Sequence, residues 1–356
     1  MMDRQVVFAG NGRWKLGALL VLACWSLVTL WGEYDPGNAI EISALDFDLM
    51  LPPGAQETYS LAVKNNDLLE DSVLISVSDW YRTAEGTVQL IEAGKSARSC
   101  APWIKLLTTF LKLKPGQIGD VKFSILVPRT AQAGTYGCTL VVDGSSRATR
   151  PGTAVAVRPR VLVTVFVTPP GGRRHEGRLV GLEVRGLNPL GVSLQFQNTG
   201  NVHLHEVRGR LEMRNAYGAT LETIPVGNFP VLPGAQRRLV VHSSKPRGQG
   251  LGPGNYVLLA VLDYGGATLT AGQLHLKIAP LNLRPIGDTQ ALPRDLDGDG
   301  LYEDVDGNGV LELADAVLLG LNIEQRAVQE NARAFDFDND GRVTFADALE
   351  LKEQVR

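Results

Sequence analysis

Residues 295–315 read DLDGDGLYEDVDGNGVLELAD, setting carboxylates at alternate positions, breaking them with glycine and then turning apolar. Crowded carboxylates repel, so such a run either binds a cation or stays unfolded. Spacing points to the first. A twelve-residue calcium loop takes oxygen ligands at positions 1, 3 and 5, a backbone carbonyl at 7, a group often acting through water at 9 and a carboxylate at 12, with glycine at 6 for the turn. Counted from Asp304, Asp306 and Asn308 fall at 3 and 5, Gly309 at 6, Val310 at 7, Glu312 at 9 and Asp315 at 12. Counted from Asp336, Asp338 and Asp340 fall at 3 and 5, Gly341 at 6, Arg342 at 7, Thr344 at 9 and Asp347 at 12. The segments DVDGNGVLELADAVLLG and DFDNDGRVTFADALELK agree at seven of seventeen places, so they are one repeat. Leu311 and Val343, apolar at position 8 of each, predict a short strand contact between the loops. Upstream, Asp295, Asp297 and Asp299 with Gly300 at 6 make a third candidate loop whose position 12 is Asp306, overlapping the next. The other reading of that stretch is a flexible acidic linker. Calcium is the implied cofactor, and without it the tail is expected to loosen, because binding free energy becomes folding free energy.

Aspartate rather than glutamate at position 12, the non-helical PRDLDGDGLYE before the first loop and a 32-residue offset between loops resemble the dockerin module. The resemblance covers about the last fifth of the chain. It implies two loop–helix units, from Asp304 to about Ile323 and from Asp336 to about Val355, with EQRAVQENARAF as a linker helix. Val317, Leu318, Leu321 and Leu349 recur at helical spacing and are expected to form a small shared core. The family's partner is a cohesin domain on another protein, and side chains at loop positions 10 and 11 help to choose it. Here those are Leu313 and Ala314, then Phe345 and Ala346, more apolar than the Ser-Thr pairs of cellulose-degrading assemblies. The near-symmetry of the repeats implies that either unit could face the partner.

Outward from the tail the chain changes character. Residues 288–356 hold 17 acidic and 6 basic side chains, a balance of −11, leaving +8 on the remainder of the 356 residues. The acidic tail and the scattered arginines of the body argue against nucleic-acid binding. Between residues 40 and 279, short stretches of period-2 alternation such as TYSLAVKNND and GDVKFSILVP are punctuated by Gly, Pro and Asn. The final stretch of the first half, AVAVRPRVLVTVFVTPP, reads as one long strand. This pattern predicts a mainly β chain with two antiparallel sandwiches, at 40–170 and 176–280, ahead of a small helical calcium-binding domain at 288–356. SDWYRTAEG, SCAPWIKL and LKLKPGQIGDVKFSILVPRTAQAGTYGCTLVV resemble exported immunoglobulin-like domains related to the periplasmic pilus chaperones. FQNTGNVHL and LGPGNYVLLAVLDYGG are similar to immunoglobulin-like accessory domains of surface proteins. A pilus chaperone would anchor a subunit's C-terminus with a basic pair, and no such pair is placed in this sequence, so the resemblance concerns fold rather than role.

Residues 1–39 read as an export segment: Arg4, Arg13 and Lys15 precede LGALLVLACWSLVTLW, and Gly37 and Ala39 offer a small-x-small cleavage site. Cleavage and retention as a membrane anchor are both open. A lipoprotein reading at Cys24 fits less well, because WSLVTLW after it stays apolar. Cys100 and Cys138 are then an even pair in an exported chain, either a disulfide or two buried thiols. Trp80 and Trp103 read as sandwich core, the alternative being an aromatic glycan surface with Tyr81 and Phe110. His203 and His205 share one strand face without an evident third ligand and read as an exposed or hydrogen-bonded pair. No nucleophile elbow, zinc-protease helix or phosphate-cradling loop occurs. The reading is a non-enzymatic, exported or cell-surface protein that assembles through its tail. The alternatives are a calcium-stiffened structural or adhesive protein, and a periplasmic chaperone-like factor.

Overall fold

Every second residue toward the end of the strand Gln56–Asn65 is buried, namely Leu61, Val63 and Asn65, because successive side chains of a strand point to opposite faces. The computed structural model describes residues 40–145, 147–148, 156–249 and 251–355; the stretch expected to be an export segment, with Cys24, Gly37 and Ala39, lies outside them. Gln56–Asn65 belongs to a sheet ordered Ile40–Ile42, Gln56–Asn65, Ile118–Leu126, Ile104–Leu106. The second sheet of this sandwich is ordered Asp46–Leu49, Arg160–Val167, Tyr136–Asp143, Asp71–Arg82, Val88–Ile91, with Phe110–Leu113 also paired to Asp71–Arg82. Both sheets feed one core that includes Leu61, Phe123, Leu140 and Val163. Cys100 and Cys138 form a disulfide within it, their Cα atoms 5.4 Å apart.

Two details depart from the sequence reading. Asp46–Leu49 pairs parallel with Arg160–Val167. The chain leaves the first sheet after Ile42 and crosses to the other, so it meets the last strand running in the same direction. The long final strand is also interrupted: its paired parts are Ala156–Val157 and Arg160–Val167, since Pro159 between them has no N–H to donate. Trp80 is buried and donates Nε1–H to the Cys138 carbonyl at 3.3 Å. Trp103 packs on Tyr136 with ring centroids 4.4 Å apart, whereas Tyr81 and Phe110 are exposed.

The second sandwich sets a three-stranded sheet (Gly177–Leu187, Leu190–Asn198, Gln236–His242) against a four-stranded one ordered Thr220–Val231, Leu204–Asn215, Gly254–Asp263, Thr270–Ile278. Its core includes Leu194, Phe196, Leu211 and Leu258. Thr220–Val231 escaped the sequence reading because Pro225 and Pro230 look like punctuation. It is an edge strand, where a missing N–H need not break the ladder.

A third core belongs to the tail, where helices α1 (Leu313–Leu321), α2 (Arg326–Gln329) and α3 (Phe345–Gln354) form. The expected linker helix is broken into α2 and a 3-10 turn at Ala332–Ala334. Asn331 lies at the break and binds the incoming chain: its Nδ2 donates to the Asn282 carbonyl at 3.0 Å, and its Oδ1 accepts from the Asn282 N–H at 2.7 Å. The core is Ala316, Leu319, Phe335, Phe337, Val343 and Leu351 with their neighbours, joined from upstream by Ile286 and Leu301. Val317, Leu321 and Leu349 are exposed instead, and only Leu318 of the expected four packs against the core. The reason is local: Asp315 must turn inward to hold the loop, which puts Ala316 and Leu319 on the inner face of α1. Among the described residues no helix is long and apolar enough to cross a membrane.

Candidate metal centre in the C-terminal loops

Three loops of the tail are built on one hydrogen-bond pattern. The glycine at position 6 donates its N–H to the aspartate at position 1: Gly300 to Asp295 at 2.9 Å, Gly309 to Asp304 at 2.7 Å and Gly341 to Asp336 at 3.0 Å. The N–H at position 7 goes to the side chain at position 5: Leu301 to Asp299 at 2.8 Å, Val310 to Asn308 at 2.8 Å and Arg342 to Asp340 at 2.9 Å. Position 5 donates back to position 3 in each, from Asp299 to Asp297, Asn308 to Asp306 and Asp340 to Asp338. Each ring of backbone N–H groups thus aims the carboxylates toward one centre. The glycines at 6 hold φ of 84°, 93° and 91°. At Gly341 the demand is double, because a Cβ would also collide with the Arg185 carbonyl.

The carboxylates converge accordingly. Oxygens of Asp304, Asp306 and Asp315 lie within 4.8 Å of one another, as do those of Asp336, Asp338 and Asp340, and those of Asp295, Asp297 and Asp299. Asp306 thus joins Asp304 and Asp315 in the first loop. Glu303, at position 9 of the upstream loop, is buried there and accepts the Leu296 N–H at 2.8 Å. It was missed by the sequence reading, although Glu312 holds the same position one loop later.

The position-12 aspartates do two jobs. Asp315 accepts from Val305 N–H at 2.8 Å and Asp306 N–H at 3.1 Å, closing its loop, and from Glu312 N–H at 2.9 Å, completing a capping box with Glu312 that starts α1. Asp347 accepts from Asp338 N–H at 3.2 Å and Thr344 N–H at 2.7 Å, and Thr344 caps α3. Leu313, Ala314, Phe345 and Ala346, in the first turns of these helices, are exposed. No strand contact joins Leu311 to Val343 among the described residues. The bridge that forms pairs Arg294 with Asp304, and the Val343 carbonyl accepts from Gln329 Nε2 at 3.3 Å.

Electrostatics shows what the loops would take. Burial raises the Asp336 carboxyl to about 7, with Asp347 and Asp338 adding repulsion. Burial likewise raises Asp315, Asp347, Asp299 and Glu303 above the ordinary carboxylate range. Asp304 Oδ1 is buried and accepts no hydrogen bond from any described residue. An orphaned carboxylate oxygen beside two other carboxylates fits a hard divalent cation, which inverts the local preference for neutral acids.

Residues 302–356 match the model of the Dockerin type I domain. The C-terminal region is a dockerin. Its cofactor is calcium, and a dockerin serves protein–protein assembly. No curated protein matches the chain. Among solved structures, the class 5 fimbriae chaperone CfaA is 10% identical, with 68% of this chain and 100% of that one covered at a TM-score of 0.37. The YadV chaperone is 14% identical, with 67% and 100% covered at 0.34. The CsuC–CsuE chaperone–tip adhesion subunit complex of Acinetobacter baumannii is 14% identical, with 56% and 89% covered at 0.34. That likeness is one of β-sandwich architecture and does not reach function.

The His203 and His205 rings lie 4.2 Å apart, and among the described residues no group of three converging metal-ligating side chains includes the pair. His203 is buried against Phe166 and pushed down to about 3, first by burial and then by His205 and Arg82, so it stays neutral. His205 reaches Asp48 at 3.1 Å.

Proposed function

We propose that the chain is a non-enzymatic, exported protein that carries two immunoglobulin-like sandwiches, at 40–170 and 176–280, and joins a partner's cohesin-type domain through its calcium-loaded tail at 288–356. The carrying observation is the coincidence of three pre-shaped carboxylate loops with an uncovered apolar face beside them. In this reading Asp304, Asp306, Asn308, Asp315 and the Val310 carbonyl hold one calcium, with Glu312 through water. Asp336, Asp338, Asp340, Asp347 and the Arg342 carbonyl, with Thr344, hold a second. Asp295, Asp297 and Asp299 hold a third, with Glu303 as added support.

On α1, Leu313, Val317 and Leu321 are exposed at four-residue steps, and on α3 Phe345 and Leu349 are exposed likewise. Phe345 lies beside Gly320, so the two stripes adjoin along a groove lined by Leu321, Ile323 and Phe345. Leu321 is 80% exposed and Phe345 61%, and it is contiguous exposed apolar side chains, rather than single ones, that mark partner surfaces. Leu313, Ala314, Phe345 and Ala346 are the partner-choosing positions in this reading.

The intact chain, immobilised and exposed to the organism's envelope and secreted proteins with calcium or with chelator, tests it. The expected result is calcium-dependent capture of a cohesin-bearing protein, lost in Phe345→Asp. No capture by a chain that demonstrably binds calcium would sink the assembly reading. The second reading, a calcium-stiffened structural end without partner, is favoured by hydrogen bonds between the loops and the second sandwich. A chaperone-like role has less support, because the outer strands Ile40–Ile42, Ile104–Leu106, Asp46–Leu49 and Val88–Ile91 span only three or four residues each, a short template for an added strand.

A further inference from the structure

The turn between strands Gly177–Leu187 and Leu190–Asn198 of the second sandwich touches two of the three loops and leaves the other alone. We propose that this turn is a clamp that sets the calcium affinity of those two loops, with Asn188 and Asn339 as positioning residues. The inference rests on the calcium reading above.

Asn188 binds both loops at once. Its backbone N–H donates to Asn339 Oδ1 at 3.1 Å, and its Nδ2 donates to the Asp299 carbonyl at 2.7 Å. Its Oδ1 accepts from the Gly248 N–H at 3.0 Å, which fixes the side chain from behind. Asn339 answers with a bond from Nδ2 to the Pro189 carbonyl at 2.9 Å. Asn339 is position 4 of the second loop, between Asp338 and Asp340, and Asp299 is position 5 of the upstream loop. The turn therefore holds backbone that must be in place before the neighbouring carboxylates can converge.

The held conformation is one the chain does not adopt freely. Asn339 has φ 57°, in the left-handed region that disfavours side chains other than glycine and, less strongly, asparagine or aspartate. Its two bonds to the turn offset that preference. The first loop solves the same problem differently. Its position 4 is Gly307, packed against the backbone of Leu292 so closely that a Cβ would collide. Its hydrogen bonds stay within the tail among the described residues.

Coupling of this kind is reciprocal: if docking on the turn favours calcium, calcium favours docking. The experiment uses the intact chain labelled with 15N-glycine. Calcium is titrated into chelated protein and followed at the amides of Gly300, Gly309 and Gly341, each bonded to the position-1 aspartate of its own loop. Asn188→Ala removes the side-chain bond to the Asp299 carbonyl but keeps the backbone N–H that Asn339 accepts, so it is expected to raise the calcium midpoint about three- to tenfold at Gly300, the worth of one or two hydrogen bonds, while Gly341 and Gly309 stay put. Asn339→Gly keeps the left-handed backbone accessible and is expected to weaken Gly341 alone. If Asn188→Ala disturbs the sandwich, visible in its own glycine amides, Asn339→Gly carries the test. Unchanged midpoints in both variants, or an equal shift at all three glycines, overturn the clamp. A wild-type chain whose three amides ignore calcium overturns the calcium reading itself, before any substitution is made.

Discussion

The loops at 304–315 and 336–347 repeat one ligand pattern and are held in place by different parts of the molecule. The first is braced by its own tail: Arg294 and Asp304 exchange backbone bonds at 2.9 and 3.2 Å, and Gly307 lies against Leu292. The second is braced by the sandwich, through Asn339 and through Arg247 Nη2, which donates to the Phe337 carbonyl at 3.1 Å. Repetition of a ligand pattern therefore does not make two sites equivalent. A calcium loop is an open ring of backbone, and what lies behind the ring decides how much of its ordering is already in place when the cation arrives.

The comparison breaks outright if neither loop needs its position-1 carboxylate. Calcium at about a hundred times its dissociation constant stabilises the fold by about 2.7 kcal/mol per site. Asp304→Ala with Asp336→Ala is thus expected to lose about 5 kcal/mol of calcium-dependent stability, read by thermal unfolding with and without chelator. An undiminished calcium effect would move the sites elsewhere.

The next test probes the residue at position 2 of each loop, Phe337 and Val305, both fully buried. Phe337→Ala is expected to cost about 3–5 kcal/mol, as for a large aromatic removed from a core. Val305→Ala removes fewer atoms and is expected to cost less. Chemical denaturation followed by far-UV circular dichroism separates them, and equal costs would contradict the packing described.

Acid sharpens the comparison from another side. Without calcium, burial lifts Asp336 from 3.8 to about 7, so the folded tail binds more protons than the unfolded one between about pH 4 and 7. The chelated tail is expected to be most stable at the acid end of that window and to lose stability as pH rises through it. With calcium saturating, the trend is expected to reverse, because protons then compete with the cation. Melting curves at pH 5 and 7.5, each with calcium and with chelator, read both signs, and parallel trends would refute the assignment.

The smallest effect belongs to Leu321. Its exposure predicts a stability change within about 0.5 kcal/mol for Leu321→Ala, the usual range for surface positions. A larger loss in the melting temperature would mean that the outer stripe of α1 is structural.

Much of the site was legible in the sequence. Ligand slots, glycines and helix starts all fall within twelve residues of each other, where covalent spacing alone dictates geometry. The inner face of α1 was not legible. Val317 and Leu321 satisfy helical periodicity as well as Ala316 and Leu319 do, and only the inward turn of Asp315 breaks the tie. Glu303 was hidden because it directly precedes Asp304, where the next loop begins. Asn331 looked like one more polar residue in a linker until Asn282 was found opposite it.

Alternation, turn residues and the spacing of aspartates determined by themselves that this chain is mostly β and ends in calcium loops, since each signal is local and repeats the periodicity of the backbone. Which loop leans on which neighbour was decided only by tertiary structure. Asn188 and Asn339 stand 151 residues apart, and nothing along the chain links them. They meet because the cores of the second sandwich and of the tail, once packed, leave those two backbones within hydrogen-bonding reach.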